Sequence, residues 1–322
     1  MATEARVKID QPGIYVDFDP AAYHADPCPK PSFTQSIAKV ILDRSPAHAR
    51  LEHPRLAPVV EGEEEAEKYV AAQAIGNAAH ALMIGRGRVV AEGKFDDWRS
   101  KAAQAFRLEQ HAAGKIVILT KHLRRAEDMV AEGRVQLARV GWKSAFDQGA
   151  GEVVIAWQEH GLWFRSMIDW MTSSVELYDY KTSGKSTAPH TIPLLGIDAG
   201  WDIQAAMHER GLDVLDPENA GRRKFRFVAQ ENEPPYALTP VELTEAWLTM
   251  GRKKLQRAID VWRDCLTRNR WPAYPAVPLR PEYPEWQERK WLEREETTAF
   301  HENVQALAEG RRAPAEILLP GG

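Results

Sequence analysis

Within residues 152–181 three short apolar segments, EVVIAW, LWFRSMIDWM and VELYDYK, follow one another with only a few turn residues between them. Their β-branched and aromatic content predicts strands, and the separations suit an antiparallel meander. No other stretch limits the fold as firmly. A helical segment around 199–210, AGWDIQAAMHER, comes next, and KFRFVAQ at 224–230 reads as a fourth strand. Thr239-Pro240-Val241-Glu242 has the form of a capping box with Pro at the first helical position. It predicts a helix over 240–270 in which Trp247, Leu255, Ile259, Trp262 and Leu266 share one face.

Upstream of the meander the pattern is helical. Residues 13–31 read as an extended entry and a Pro-rich turn, and 32–50 as a helix with Ile37, Ile41 and Leu42 on one side and a break at Ser45-Pro46. Glu61, Glu63, Glu64, Glu65 and Glu67 open a second helix that continues through Tyr69, Ile75, Ala79, Leu82 and Met83; carboxylates in a first turn suit the helix dipole. A long helix is expected over 120–146, with Leu123, Met129, Val130, Leu137 and Trp142 at helical spacing. The expected organisation is one α/β domain over 1–280, with a helical part at 32–146 and a sheet at 152–231, followed by a charged tail at 281–322.

Composition narrows the class. Of the 322 residues 44% are hydrophobic, with 11 Trp, 8 Tyr and 9 Phe, which is ample core material and excludes a disordered chain. Two cysteines, Cys28 and Cys265, build no disulfide framework, four-thiolate zinc site or iron–sulfur cluster. No apolar run approaches the ~18–20 residues that span a bilayer. The opening MATEARVKIDQPG lacks the apolar stretch of a signal peptide, so a cytoplasmic protein with no membrane association is expected.

The formal charge of −4 argues against indiscriminate coating of nucleic acid, yet basic residues gather locally. Residues 115–143 carry seven basic residues against three acidic ones. Arg222, Arg223, Lys224 and Arg226 precede the fourth strand, and Arg252, Lys253, Lys254 and Arg257 lie on the last long helix. Each cluster read singly is a solvated face; phosphate contacts need such charges only where a duplex passes.

The chemistry-bearing feature is Asp169 at the end of one predicted strand with Asp179-Tyr180-Lys181 at the end of the next. Residues two apart in a strand face the same side, so Asp179 and Lys181 project together. Hard oxygen ligands with water favour Mg²⁺ or Mn²⁺, and an adjacent ammonium offsets phosphate charge. This is a kit for metal-assisted phosphodiester hydrolysis. Taken alone, Asp-x-Lys is more often a surface ion pair at a strand end.

With that constellation the chain resembles the PD-(D/E)XK nuclease superfamily, and within it the phage-type recombination exonucleases of the RecE (exonuclease VIII) group, with lambda exonuclease more distant. The resemblance spans about 13–274 and rests on ordered motifs: Gly13-Ile14-Tyr15, Tyr23-His24-Ala25-Asp26-Pro27, Ser45-Pro46-Ala47-His48, Gly76-Asn77-Ala78-Ala79-His80, Gln204-Ala205-Ala206, and Phe227-Val228-Ala229-Gln230-Glu231 followed by Pro234-Pro235-Tyr236. It implies a restriction-endonuclease-like core with a central mixed sheet of about four to five strands flanked by helices. Asp169, Asp179, the Tyr180 carbonyl and His80 are then metal ligands, holding two Mg²⁺ or Mn²⁺ ions per site. Lys181 positions the attacking water, and Gln204 contacts the site or substrate.

The same resemblance makes Ser36, in Thr34-Gln35-Ser36, a candidate anchor for a DNA 5′-phosphate, and Arg222, Arg223 and Lys224 candidate DNA contacts. Each residue has a plainer reading beside it: His80 a buried helix histidine, Gln204 a surface amide, Ser36 a helix cap. Glu152 recurs at this place in the group and reads as structural. Where the group often has Tyr four residues after the glutamine, this chain has His208.

The activity implied is degradation of linear double-stranded DNA from the 5′ strand, leaving 3′ overhangs for recombination by strand annealing. A ring-shaped homo-oligomer and a single-strand annealing partner go with it. A structure-selective or CRISPR-adaptation-type nuclease is the alternative enzyme, disfavoured by two cysteines where such proteins commonly carry a four-cysteine cluster. A catalytically inactive DNA-binding protein on the same fold is the alternative outside enzymes, disfavoured by the intact Asp169, Asp179 and Lys181.

Overall fold

A computed structural model describes residues 7–58 and 70–309; the glutamate-rich helix start expected at 61–67, and Tyr69, lie outside the described residues. The chain forms two compact units, Met1–Ala273 and Tyr274–Gly322.

The first unit contains, in chain order, β1 (Gly13–Tyr15), α1 (Pro20–His24), β2 (Ser32–Phe33), α2 (Gln35–Asp43), α3 (Pro46–Glu52), α4 (Ala71–Ile84), β3 (Val90–Gly93), α5 (Lys101–Ala112), β4 (Ile116–Leu119) and α6 (Thr120–Arg139). It continues with β5 (Ala150–Glu159), β6 (Leu162–Ser173), β7 (Glu176–Ser183), α7 (Ile192–Ala199), α8 (Trp201–Leu215), β8 (Lys224–Glu231), β9 (Leu238–Glu242) and α9 (Glu245–Arg268). The fold is mixed α/β. The main sheet runs β1-β5-β6-β7-β8-β9, with β2 attached to β6, and β3 and β4 form a separate parallel pair.

The antiparallel meander is β5-β6-β7, as the sequence predicts. β8 pairs parallel to β7, in register from Glu176–Lys224 to Ser183–Glu231. Parallel neighbours need a crossover, and α7 with α8 supplies it. The sheet has seven strands rather than four to five because β1, β2 and β9 are two to five residues long, too short to display a period in sequence. Side chains alternate across the sheet. From β7 and β8, Leu177, Phe225, Phe227 and Ala229 join the core under α8 and α9, with Trp157, Trp201 and Trp262. Tyr178, Tyr180 and Val228 join the opposite core under α4 and α6, with Met83 and Met129.

Four local expectations need correction. The Thr239–Glu242 capping box is not a helix start: these residues belong to β9, Pro240 opposite Val228, and the helix begins at Glu245. β9 is an edge strand, where a residue without an N–H is tolerated, so the motif matched by coincidence of residue types. The helix expected over 32–50 is β2 plus two helices, capped by the Thr34 hydroxyl on Ile37 N (3.3 Å) and the Ser45 hydroxyl on His48 N (3.4 Å). The long helix stops at Arg139, and Gly141 takes the left-handed backbone (φ 78°) that turns the chain toward Trp142. Finally, α7 and the β3-α5-β4 segment have no counterpart in the sequence reading.

The second unit contains α10 (Glu285–Ala308), which buries none of its residues. Among the described residues no helix is long and apolar enough to cross a membrane.

Candidate active site

The site occupies a gap in the backbone ladder of β6. At its start β6 pairs with β2 (Ser32–Trp163, Phe33–Phe164), and at its end with β7 (Trp170–Tyr178 to Ser173–Glu176). Between them, residues 165–169 have no partner strand on that edge. Arg165, Met167 and Asp169 line the cleft opened by this divergence, which measures about 650 Å³. Tyr180 N–H has left the ladder and donates to Asp169 Oδ2 at 3.1 Å. A carboxylate thus satisfies a main-chain group that would otherwise be orphaned.

Asp179 and Lys181 lie two residues apart on β7, on the face turned to α8. The Lys181 ammonium stands 2.6 Å from Asp179 Oδ1, and Gln204 on α8 donates its amide to Asp179 Oδ2. Asp179 Oδ1 is buried, and the Lys181 ammonium is its close partner. His80 arrives from α4, its Nε2 3.0 Å from Asp169 Oδ2. The spacing of Gly76 and His80 has a physical reason: a Cβ at Gly76 would come within 2.6 Å of the Thr182 hydroxyl. Only glycine lets α4 lie close enough to β7 for His80, one turn later, to reach Asp169.

The electrostatics pull the two aspartates apart. Burial raises both, but the His80 imidazole, Lys181 and the Tyr180 N–H outweigh it at Asp169 and hold that carboxyl well below the usual range. At Asp179 burial and the nearby Asp169 charge prevail over Lys181, and its pKa rises to about 6. Burial lowers the pKa of His80 and Lys181, yet the neighbouring carboxylates raise both above their ordinary values. Two adjacent carboxyls whose environments push them in opposite directions are the arrangement that acid–base and metal sites share.

The remaining predicted residues divide. Ser36, exposed in the first turn of α2, lines the cleft together with Thr34, Gln35 and Lys39. Arg223 does not face solvent: its side chain is 1% exposed, pairs with Asp213, and donates to the Leu212 and Asp216 carbonyls at 3.1 and 2.6 Å. It pins the end of α8 and is unavailable to DNA. Arg222 and Lys224 are exposed, but Lys224 is in register with Glu176, five residues along β7 from Lys181, roughly 16 Å away at strand rise. Arg226 bridges Glu176 and Glu242, Arg252 pairs with Glu209 and Glu245, and Lys254 pairs with Asp202. These cations hold the fold together.

The sequence reading passed over four cleft residues: His24, Lys39, Arg165 and, in its role, Glu152. Glu152 is the residue of β5 that stands opposite Asp169, since Gly151 pairs with Trp170 and Val153 with Ile168. Its φ of 51° takes it out of the ladder and into the cleft. Burial, with a smaller contribution from Asp169, raises its pKa against the opposing pull of His80 and Arg86. A lone glutamate in a glycine-rich turn carries no sequence sign of such a placement. His208 is buried beneath Gln204 and pushed down to about 4 by burial, its Nε2 unpartnered.

A mixed sheet whose central antiparallel strands separate around Asp169 and Asp179-x-Lys181 defines the PD-(D/E)XK nuclease superfamily. The chain belongs within it to the family described as a PDDEXK-like domain of unknown function (DUF3799), whose model matches residues 53–276. Among solved structures it is similar to a "Putative exonuclease" from Eubacterium rectale, at 13% identity and a TM-score of 0.48, over 79% of this chain and 91% of that one. No curated protein matches the sequence.

Nucleases of this superfamily use divalent metal ions, and the donor set here fits one. Asp179 offers a buried carboxylate oxygen held only by the mobile end of Lys181, Asp169 lies beside it, and both are hard ligands. Among the described residues no three His, Cys, Asp or Glu side chains are grouped to enclose an ion.

Proposed function

We propose that this protein is a metal-dependent exonuclease that hydrolyses phosphodiester bonds of linear duplex DNA from the 5′ strand, leaving 3′ overhangs. The observation that supports it is the convergence of Asp169, Asp179 and Lys181 at the gap in β6, in a cleft whose far wall is the first turn of α2. A divalent ion held by Asp169 and Asp179 supplies Lewis-acid stabilisation of phosphate charge and an acidified water. The chain's own residues orient and neutralise. His80 and the Tyr180 N–H fix the Asp169 carboxylate, and the Gln204 amide fixes Asp179. Lys181, held protonated by both carboxylates, offsets charge developing on the phosphoryl group. Ser36 and the N–H groups opening α2 offer an anion site for a terminal 5′-phosphate. Assembly into a homo-oligomeric ring and cooperation with a single-strand annealing protein belong to the same proposal.

The test compares linear duplex bearing 5′-phosphate or 5′-hydroxyl ends with a closed circle, in Mg²⁺, Mn²⁺ or EDTA. The expected result is metal-dependent loss of linear DNA only, faster from 5′-phosphate. Nicking of the circle overturns the exonuclease assignment, and absence of any metal-dependent product overturns the enzyme.

A further inference from the structure

Of the eight basic residues singled out in the sequence at 222–226 and 252–257, Arg223, Arg226, Arg252 and Lys254 are taken up in ion pairs, and none of the eight lines the cleft. The strongest local excess lies in 86–125, where ten Lys and Arg face four Asp and Glu in a chain of net charge −4. Its near end is the loop 85–89, Gly-Arg-Gly-Arg-Val, which directly follows α4, the helix that brings His80 to Asp169. Gly85 ends that helix in the left-handed conformation (φ 68°). Gly87, at φ 93°, lies on the Glu152 carboxylate: a Cβ there would come within 2.2 Å of Oε1. The loop is therefore seated on a cleft-lining residue, and Arg86 and Arg88 flank that contact.

Both arginines are exposed. Arg86 forms only a surface pair with Asp17, half-exposed on both sides and of small worth. Arg88 donates from Nε to the Gly114 carbonyl (2.8 Å) and from Nη2 to the Lys115 carbonyl (3.1 Å), which fixes its guanidinium beside Lys115. No carboxylate pairs with Arg88 or Lys115 among the described residues. Arg88 also lies near enough to the cleft residue His24 to depress its pKa, after burial and Arg165. Two cations thus stand beside Glu152 and His24 at the edge of the cleft, next to the Lys39, Arg165 and Lys181 that line it.

We propose that Arg86 and Arg88 form a rim on which backbone phosphates of the duplex rest outside the cleft, positioning the strand whose phosphodiester enters it. The proposal rests on the nuclease reading, and its occupant is DNA recognised by charge spacing, with no base readout. The two guanidiniums extend the positive charge of Lys39, Arg165 and Lys181 from the cleft to its outside.

The test measures duplex binding against salt on a Lys181→Ala background, so that the DNA stays intact, together with hydrolysis of bis(p-nitrophenyl) phosphate on the native background. Each lost phosphate contact removes about 0.9 from the slope of log K against log salt. Arg86→Ala/Arg88→Ala is expected to lower the slope by about 2 and to slow duplex degradation about tenfold or more, with small-diester hydrolysis unchanged. Arg86→Lys/Arg88→Lys is expected to retain the slope, and Lys94→Ala/Lys101→Ala, at the other end of β3, to leave it unaltered. An unchanged slope in the double alanine variant overturns the proposal. So does parallel loss of small-diester hydrolysis, which would make the loop a structural support. Absence of metal-dependent hydrolysis of either substrate by the native protein would instead defeat the nuclease reading, and the salt slope still decides whether the rim binds DNA.

Discussion

Strand β6 carries two buried charge clusters four residues apart, and they are built in opposite ways. Around Arg165 a single carboxylate is held by a base and by the chain beside it. Its guanidinium stands 3.0 Å from Asp26 Oδ1 and donates to the Tyr23 and Ser32 carbonyls at 3.1 and 3.2 Å. The other Asp26 oxygen receives Ser32 N–H at 3.0 Å, and the Ser32 hydroxyl donates to Oδ1 at 2.6 Å. Around Asp169 two carboxyls stand side by side, each charge acting on the other, with His80 and Lys181 as their bases. Saturation makes the first cluster a joint that fastens the N-terminal segment to the sheet. Two carboxyls in one place make the second a site that gains from binding a cation.

The contrast is open to direct attack. Arg165→Met strands the buried Asp26 carboxylate and is expected to cost about 3–5 kcal/mol in urea unfolding, because breaking one side of a buried pair leaves an uncompensated charge. Lys181→Ala, in the other cluster, is expected to lower metal-dependent DNA hydrolysis by 10²–10³-fold, about 2.7–4 kcal/mol of transition-state stabilisation, with native stability largely retained. A large loss of stability there would erase the distinction between the clusters.

Asp179→Asn sharpens it further. Asp179 has a folded pKa raised from 3.8 to about 6, so its ionisation removes stability as pH rises through that interval. Without metal, the variant is expected to be more stable than the native protein by about 1–3 kcal/mol above pH 7, and equal to it below pH 4. Thermal melts at the two pH values check this; a variant less stable at pH 8 would contradict it. The smallest effect is expected from Gln204→Met, which frees the Asp179 carboxylate from its amide: about a tenfold fall in kcat, roughly 1.4 kcal/mol, with little change in Tm.

Much of the frame was legible before the structure. The meander, β8 and α8 have strong periodicity, and Asp169, Asp179, Lys181, His80 and Gln204 do come together. What the sequence concealed follows from physical causes. β2 has two residues and β9 contains a proline, so neither gives a strand pattern, and the Thr239–Glu242 residues mimic a cap. Basic runs display charge but not its partners, which is why Arg223 reads as a surface contact although Asp213 and two carbonyls enclose it. Glu152 enters the cleft through a positive φ, a backbone property that its side-chain type does not announce.

The two-residue strand β2 has a practical consequence. It occupies the edge of β6 that β7 abandons and leads straight into the Thr34–Ser36 turn, so one lip of the cleft comes from residues 32–36. The family match begins only at residue 53. A shortened protein cut at that boundary would keep Asp169, Asp179 and Lys181 but lose the first strand of the sheet, leaving β5 with an open edge, and remove Phe33 from between Phe164 and Trp262. Such a fragment is expected to aggregate through its bared strand edge rather than to behave as a minimal nuclease, because residues 7–52 complete the sheet and one lip of the cleft.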